Sequence, residues 1–309
     1  MRLQPFAIFA IVVAMMLPVG CFTGIESTPK ITEKDVRKQN VVVSAENEFA
    51  SRLFPRLFSQ WREGDRLLVT DSRLSLLLET EPSVSPGDTI VYRGVAEDVS
   101  ITGDSVTIIE FGSADDAAIP LRYIVEMPLS RLNSADNRVE VPFTIDLQLI
   151  AYADSMLRGN RYYLMTNLRV DADAQPIAMG KRYVPVTIRG VYPGNSTYPL
   201  RVEFEEADGT IASVVMTTGN ARSDTRNFDV LFAFNDPRMR YPDISDAVWA
   251  NIVATRVAQG MTTDECRVSL GSPRDVKKTH NGSSYFERWS FDNGAYLIFE
   301  DGRLATFRL

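Results

Sequence analysis

Cysteine and histidine are scarce in this 309-residue chain: Cys21, Cys266 and His280 are all it holds. Cys21 is the one whose setting specifies a reaction. Arg2 gives a short basic start, Phe6 to Leu17 form an unbroken apolar run, and Pro18-Val19-Gly20 leads small, uncharged residues into the thiol. The run is too short to span a bilayer as a stable helix and reads as a cleaved leader, residues 1–20. The pattern predicts a Cys21 sulfur that carries lipid once the leader is removed.

The remaining chemistry-bearing residues do not assemble into a reactive set. His280 is alone, in Thr279-His280-Asn281-Gly282-Ser283, so no pair of imidazoles is available and the common zinc arrangements lack ligands. An exposed loop histidine is expected there. Once Cys21 is acylated, Cys266 has no partner for an intramolecular disulfide. Its only adjacent cation is Arg267, so it reads as a small core residue rather than a reactive thiol.

Asp171-x-Asp173-x-Gln175 starts like a calcium loop, but Pro176 replaces the required glycine and Arg182 the closing glutamate. Asp115-Asp116 and Glu205-Glu206 are the carboxylate pairs considered as acid–base candidates. Neighbours on a strand point to opposite faces, so Glu205-Glu206 reads as solvated charge. No phosphate-binding glycine loop occurs. The expectation is no catalytic residue, no cofactor and no metal, hence a protein that is not an enzyme; no binding residue or small-molecule ligand can be assigned.

A net charge of −7 and a pI near 5.0, without a Lys/Arg stripe, argue against a nucleic-acid partner. The leader and Cys21 resemble a bacterial lipoprotein signal, with Pro18 where leucine is usual and Leu17 one place further back. Such a cysteine resembles those carrying three acyl chains, and at about 0.8 kcal/mol per buried methylene that anchor is effectively permanent. Phe22 follows the cysteine instead of the aspartate of an inner-membrane retention signal, which implies the outer membrane of a Gram-negative envelope. The whole chain resembles a Bacteroidetes-type envelope lipoprotein. Glu26 alone stands where surface-exposed members carry an acidic cluster, which favours the periplasm-facing leaflet. Asp88-Thr89-Ile90, Asp104-Ser105-Val106 and Asp154-Ser155-Met156 resemble the O-glycan sites of such proteins.

Residues 21–47 are polar and charged and read as a tether. Phe49, Leu53, Leu57 and Trp61 recur at helical spacing around Pro55, which predicts a broken helix over 48–64. The texture then alternates, with strands expected at 66–70, 89–93, 105–111 and 122–127, and again at 161–166, 182–190, 200–205, 212–217 and 228–234. The two sets share turn residues at a spacing near one domain length. Gly64-Asp65-Arg66 matches Gly159-Asn160-Arg161, Arg93-Gly94-Val95 matches Arg189-Gly190-Val191, and Pro86-Gly87-Asp88 falls against Met179-Gly180-Lys181. A first β module over 48–130 and a second over 131–240, a candidate repeat of it, are expected as small sheets or partly open barrels of Src-homology-3-like form.

Beyond Pro237 and Pro242 the period changes. Ile244, Val248 and Ile252 with Trp249, Val253 and Val257 predict a core-facing helix ended by Gly260. Thr262 and Glu265 form a capping box for a second helix to Leu270, stopped by Gly271 and Pro273. Strands at 285–291, 295–299 and 303–309 follow, joined by Asn293-Gly294 and Asp301-Gly302. The run Gln259-Gly260-Met261-Thr262 through Leu270-Gly271-Ser272-Pro273, with Glu287-Arg288-Trp289-Ser290-Phe291 and Phe299-Glu300-Asp301-Gly302-Arg303-Leu304, resembles the SmpA/OmlA domain. That family is the accessory lipoprotein of outer-membrane β-barrel assembly. Here the domain, 241–309, ends a long chain instead of following the lipid, and Cys266 stands where the family has an aliphatic.

The expected fold is multidomain and mainly β: two small antiparallel modules, then a C-terminal α+β domain of two helices and a three-stranded antiparallel meander. The expected role is a non-catalytic, outer-membrane-anchored lipoprotein that binds other envelope proteins as a scaffold, in outer-membrane protein assembly or envelope maintenance. The alternative is a glycan- or peptidoglycan-binding module, or a carboxylate-based hydrolase, in the β modules. Tryptophans lining a groove would mark that alternative, whereas Trp61, Trp249 and Trp289 sit in patterns that look like core.

Overall fold

A computed structural model describes residues 45–309, apart from 51, 80–83, 114–119, 135–136, 174, 178–179 and 220–225. Cys21, the leader, nearly all of the tether and Asp115-Asp116 lie outside the described residues. The protein is mainly β, with three antiparallel sheets and few helices.

The chain enters through a short helix, α1 (Ala45–Ala50), and a 3-10 turn at Phe58–Gln60, so the helix expected over 48–64 is broken around Pro55. The first sheet comprises β1 (Arg66–Val69), β2 (Thr89–Val99), β3 (Ser105–Ser113) and β4 (Leu121–Val125). After a one-turn helix, α2 (Leu129–Leu132), it is completed by β5 (Thr144–Asp146). Its order is β4-β3-β2-β1-β5. Helix α3 (Leu147–Leu157) leads into the second sheet: β6 (Arg161–Leu164), β7 (Val184–Pro193), β8 (Leu200–Glu206), β9 (Ile211–Met216), then one-turn helix α4 (Phe228–Leu231) and β10 (Phe232–Ala233). Its order, β10-β6-β7-β8-β9, is the same as the first once the strands are renumbered.

The correspondence extends to single hydrogen bonds. Register slips by one residue at Arg93, between Tyr92 and Gly94, and at Arg189, between Ile188 and Gly190. A bulge there bends the strand and strengthens the twist that curls each sheet into a half-barrel. Gly64 N donates to Tyr92 O at 2.9 Å and Gly159 N to Ile188 O at 2.8 Å. Both glycines take positive φ, 93° and 79°, which the turn requires. A residue of the long β1–β2 and β6–β7 loops bridges the fourth strand in each barrel, Leu78 to Tyr123 and Val170 to Ser213. In both, a short helix precedes the fifth strand. The third sequence match does not carry over: Gly87 N bonds Val69 O at the end of β1, whereas Gly180 N bonds Asn167 O, beyond the end of β6.

Strand pairing moves the expected division at 130/131. Ile145 of β5 lies opposite Leu68 of β1, so the first barrel closes only at Asp146. The sequence reading had no element over 131–160 and so missed β5 and α3. The strand expected at 228–234 is mostly helix, with only Phe232–Ala233 extended.

The barrels share a wall. Leu67 and Val69 of β1 face the first core with Trp61, Tyr92 and Phe111, while Leu68 and Ile145 face the second with Ile150, Ala153 and Leu157 of α3. The entering segment crosses over: Leu53 is buried in the second core, and Phe49 stacks against Phe228 at 4.7 Å. Asp154 pins α3 to the second bulge, accepting from Val191 N at 2.8 Å and from Arg158 Nε and Nη2 at 2.9 Å each. Burial pushes this carboxyl upward, but those bonds outweigh it and hold it below its ordinary value.

In the third domain, α5 (Asp246–Val253) and α6 (Thr263–Leu270) cover one face of a four-stranded sheet, β11 (Asp275–Asn281), β12 (Ser284–Ser290), β13 (Tyr296–Glu300) and β14 (Arg303–Arg308), in that order. The expected meander of three strands gains β11 in front, because Gly282-Ser283 forms a two-residue hairpin turn between Asn281 and Ser284, with Gly282 at φ 64°. Helix α5 stops at Val253, short of Gly260, because Thr255 turns to φ 54°. The capping box forms as read: Glu265 N donates to Thr262 Oγ1 and Thr262 N to Glu265 Oε2. Arg182 N caps Val253 O, and the Tyr183 hydroxyl donates to Val268 O, joining this domain to the second barrel.

Leu53→Ala is expected to destabilise the protein by roughly 2–5 kcal/mol in urea unfolding, as a core truncation does; a cost below about 1 kcal/mol would contradict its place in the second core. A carboxyl held low in the folded state contributes stability above its unfolded pKa of about 3.9, and that contribution is lost as pH falls through the folded value. Asp154→Asn is therefore expected to cost about 1–2 kcal/mol at pH 7 and clearly less at pH 3, and an equal deficit at both would refute the assignment.

Candidate functional site: the cleft between the barrels

Arg56 sits where the two barrels meet. Its Nε and Nη2 donate to Asp146 Oδ2 and Oδ1 at 2.7 and 3.1 Å, and its Nη1 donates to Asp65 Oδ2 at 2.6 Å. All three side chains are mostly buried, at 19%, 14% and 12% exposure for Arg56, Asp146 and Asp65. The carboxylates have backbone partners as well. Arg62 N donates to Asp65 Oδ2, and Gln148 N donates to Asp146 Oδ1, which makes Asp146 the N-cap of α3. Burial draws the Arg56 guanidinium down, but its bonds to Asp146 and Asp65 more than offset this and hold it above its ordinary value.

The triad therefore ties three points separated in sequence: the entering segment, the turn before β1, and the β5–α3 junction. Beside it opens a cleft of about 350 Å³. One wall is the strip Val139–Asp146 of the first barrel, and the other comes from Ser196, Thr197, Pro199, Thr217 and Thr218 of the second, with Arg56 and Trp61 at its base. The strip is held in an unusual course. Phe143 takes φ 61°, uncommon for a bulky side chain, and is braced by Thr70 N donating to its carbonyl and by the Arg73 guanidinium 4.5 Å over its ring. Thr217 Oγ1 is buried at the facing wall with no hydrogen-bond partner among the described residues.

This geometry suits binding more than acid–base chemistry. Asp65 and Asp146 converge on one cation and on backbone amides, an arrangement that fixes carboxylates as acceptors. The tryptophans do not line the cleft as an exposed platform: Trp61, Trp249 and Trp289 are all buried, at 6%, 8% and 0% exposure.

The residues singled out from sequence are scattered. Cys266 is fully buried in the third core, and burial, with Glu265 beside it, pushes its thiol up to about 12. His280 is exposed as expected but lies in strand β11, edge-on to Tyr285 at 4.9 Å, and not in a loop. Asp171 Oδ1 accepts from Asp173 N and Gln175 N and shapes its own turn. Glu205 and Glu206 point to opposite faces. Glu205 pairs with Arg189 near the surface, but Glu206 is a buried partner of Arg169 at 2.8 Å, which corrects the expectation of solvated charge for that residue.

Sequence reasoning missed Arg56, Asp65 and Asp146 as a group. Asp146, directly before the helically spaced Leu149, Ile150, Ala153 and Leu157, was the available signal for a helix cap. No protein-family model, curated protein or solved structure matches the chain. Among the described residues, no helix is long and apolar enough to cross a membrane.

Arg56→Met leaves two mostly buried carboxylates without their cation and is expected to cost roughly 3–5 kcal/mol in urea unfolding, whereas Arg52→Met, at an exposed pair, is expected to cost under about 0.5 kcal/mol. Equal effects would remove the triad from its structural role.

Proposed function

We propose that this chain is a non-catalytic envelope lipoprotein, anchored through Cys21 in the periplasm-facing leaflet of an outer membrane, whose coupled domains form a binding body for other envelope proteins. The observation that carries the reading is the cleft with walls drawn from both barrels and fixed by Arg56 at their junction. A recess preorganised in this way loses little conformational entropy when a partner segment enters. Glu140, Pro142, Ser196 and Thr197 form its exposed rim.

The sequence of the third domain resembles SmpA/OmlA, which supports a role in outer-membrane protein assembly or envelope maintenance. A permanent acyl anchor suits that role, because partners confined to one membrane meet at high effective concentration.

A photo-crosslinking side chain at Glu140, on the cleft rim, is expected to capture a discrete envelope protein in intact cells, whereas the same probe at Asp208, exposed on the second barrel, captures far less. Equal labelling at the two positions, or none above background at Glu140, would overturn the cleft as the contact surface.

A further inference from the structure

Among the described residues the third sheet has one open edge, strand β11. Elsewhere the long sheet edges are partly covered by neighbouring chain. Glu79 N donates to Arg122 O on β4, and Val170 N to Ser213 O on β9. On β14, Gly260 N donates to Leu304 O, Leu304 N to Met261 O, and Gln259 Nε2 to Ala305 O. The terminal strands β5 and β10 are only 3 and 2 residues long. Strand β11 differs: it runs 7 residues, pairs with β12 alone, and every one of its residues is exposed. Such an edge is a template for another strand.

The face of the sheet turned away from α5 and α6 says what kind of strand. Its cross-strand rows are Asp275–Ser290–Tyr296–Arg308, Lys277–Arg288–Ile298–Thr306 and Thr279–Phe286–Glu300–Arg303, so its carboxylates are Asp275 and, opposite Arg303, Glu300. Lys277 and Arg288 stand directly opposite each other, a like-charge pairing that destabilises a sheet. Both are exposed, and neither has an ion pair among the described residues; Arg288 only lies over the Tyr296 ring at 5.3 Å. The next lysine is already satisfied, since Lys278 pairs with Glu287 at 3.3 Å on the opposite face. A second copy of the chain is a poor occupant at full overlap, because the antiparallel register that pairs all seven residues is centred on Lys278 and sets it against its own copy.

We infer that β11 is a docking edge for an extended, acidic segment of a partner protein, which adds as a fifth strand and places carboxylates beside Lys277 and Arg288. Main-chain hydrogen bonds along the edge supply the attachment, and the cation pair selects for an acidic side chain opposite Lys277. This surface is separate from the inter-barrel cleft and does not depend on it.

The probe is an end-blocked heptapeptide of alternating glutamate and valine, titrated against the full chain at physiological salt, with amide hydrogen exchange as the second readout. The expected result is binding that protects amides within Asp275–Asn281. The double variant Lys277→Glu/Arg288→Glu is expected to weaken it at least tenfold, while Lys181→Glu, a surface charge change on the second barrel, leaves it within twofold. Both variant positions are exposed, and an unchanged unfolding midpoint verifies that folding is intact. Three results would overturn the inference: binding without protection of β11, equal affinity for the peptide with lysine in place of glutamate, or no binding. Protection of β11 that appears with rising protein concentration alone would overturn it in favour of self-pairing.

Discussion

Arg56 is the constraint on which the rest of the body depends. A guanidinium shared between Asp65 and Asp146 fixes where β1 begins and where β5 ends, and those two strands form the wall between the hydrophobic cores. The attraction itself is a modest source of stability, because charges this deeply buried pay heavily in lost hydration. Its effect is geometric. Asp146 is at once the last residue of β5, the cap of α3 and an Arg56 partner, so the orientation of the first barrel is transmitted into the helix that packs under the second.

Packing reinforces this coupling. The entering segment places Leu53 in the second core and, a few residues later, Phe58 and Trp61 in the first, so one stretch of chain stitches both barrels. Asp154 carries the connection from α3 to the bulge of β7, and Arg182 and Tyr183 carry it from the second barrel to the third domain. Each link is a few hydrogen bonds at a point where the backbone is already bent. The result is a set of small domains joined at several points that presents composite surfaces.

Much of this was legible in the chain. Alternating Val, Ile and Tyr gave the strands, Asn293-Gly294 and Asp301-Gly302 the hairpins, and Thr262 with Glu265 the start of the second helix of the last domain, because each is a local signal. The repeat was visible through Gly64-Asp65-Arg66 and Arg93-Gly94-Val95, residues now seen at the turn before the first strand and at the bulge. What escaped was non-local. Strand β5 is short and is specified by its pairing with β1, and Arg56 meets Asp146 across 90 residues. Strand β11, with Lys277, Lys278 and His280, lacks the apolar alternation of a half-buried strand because it is exposed throughout.

The most direct measurement is the distance distribution between spin labels on the two barrels. Labels at Asp98 and Asp208, both exposed, can be attached in a chain carrying Cys21→Ser, because Cys266 is buried with its thiol pushed up to about 12. A single narrow distribution in the otherwise native chain, broadened by Arg56→Met while the barrels remain folded, is the expected result. An unchanged narrow distribution in the Arg56→Met chain would show that packing alone orients the barrels and would contradict the account.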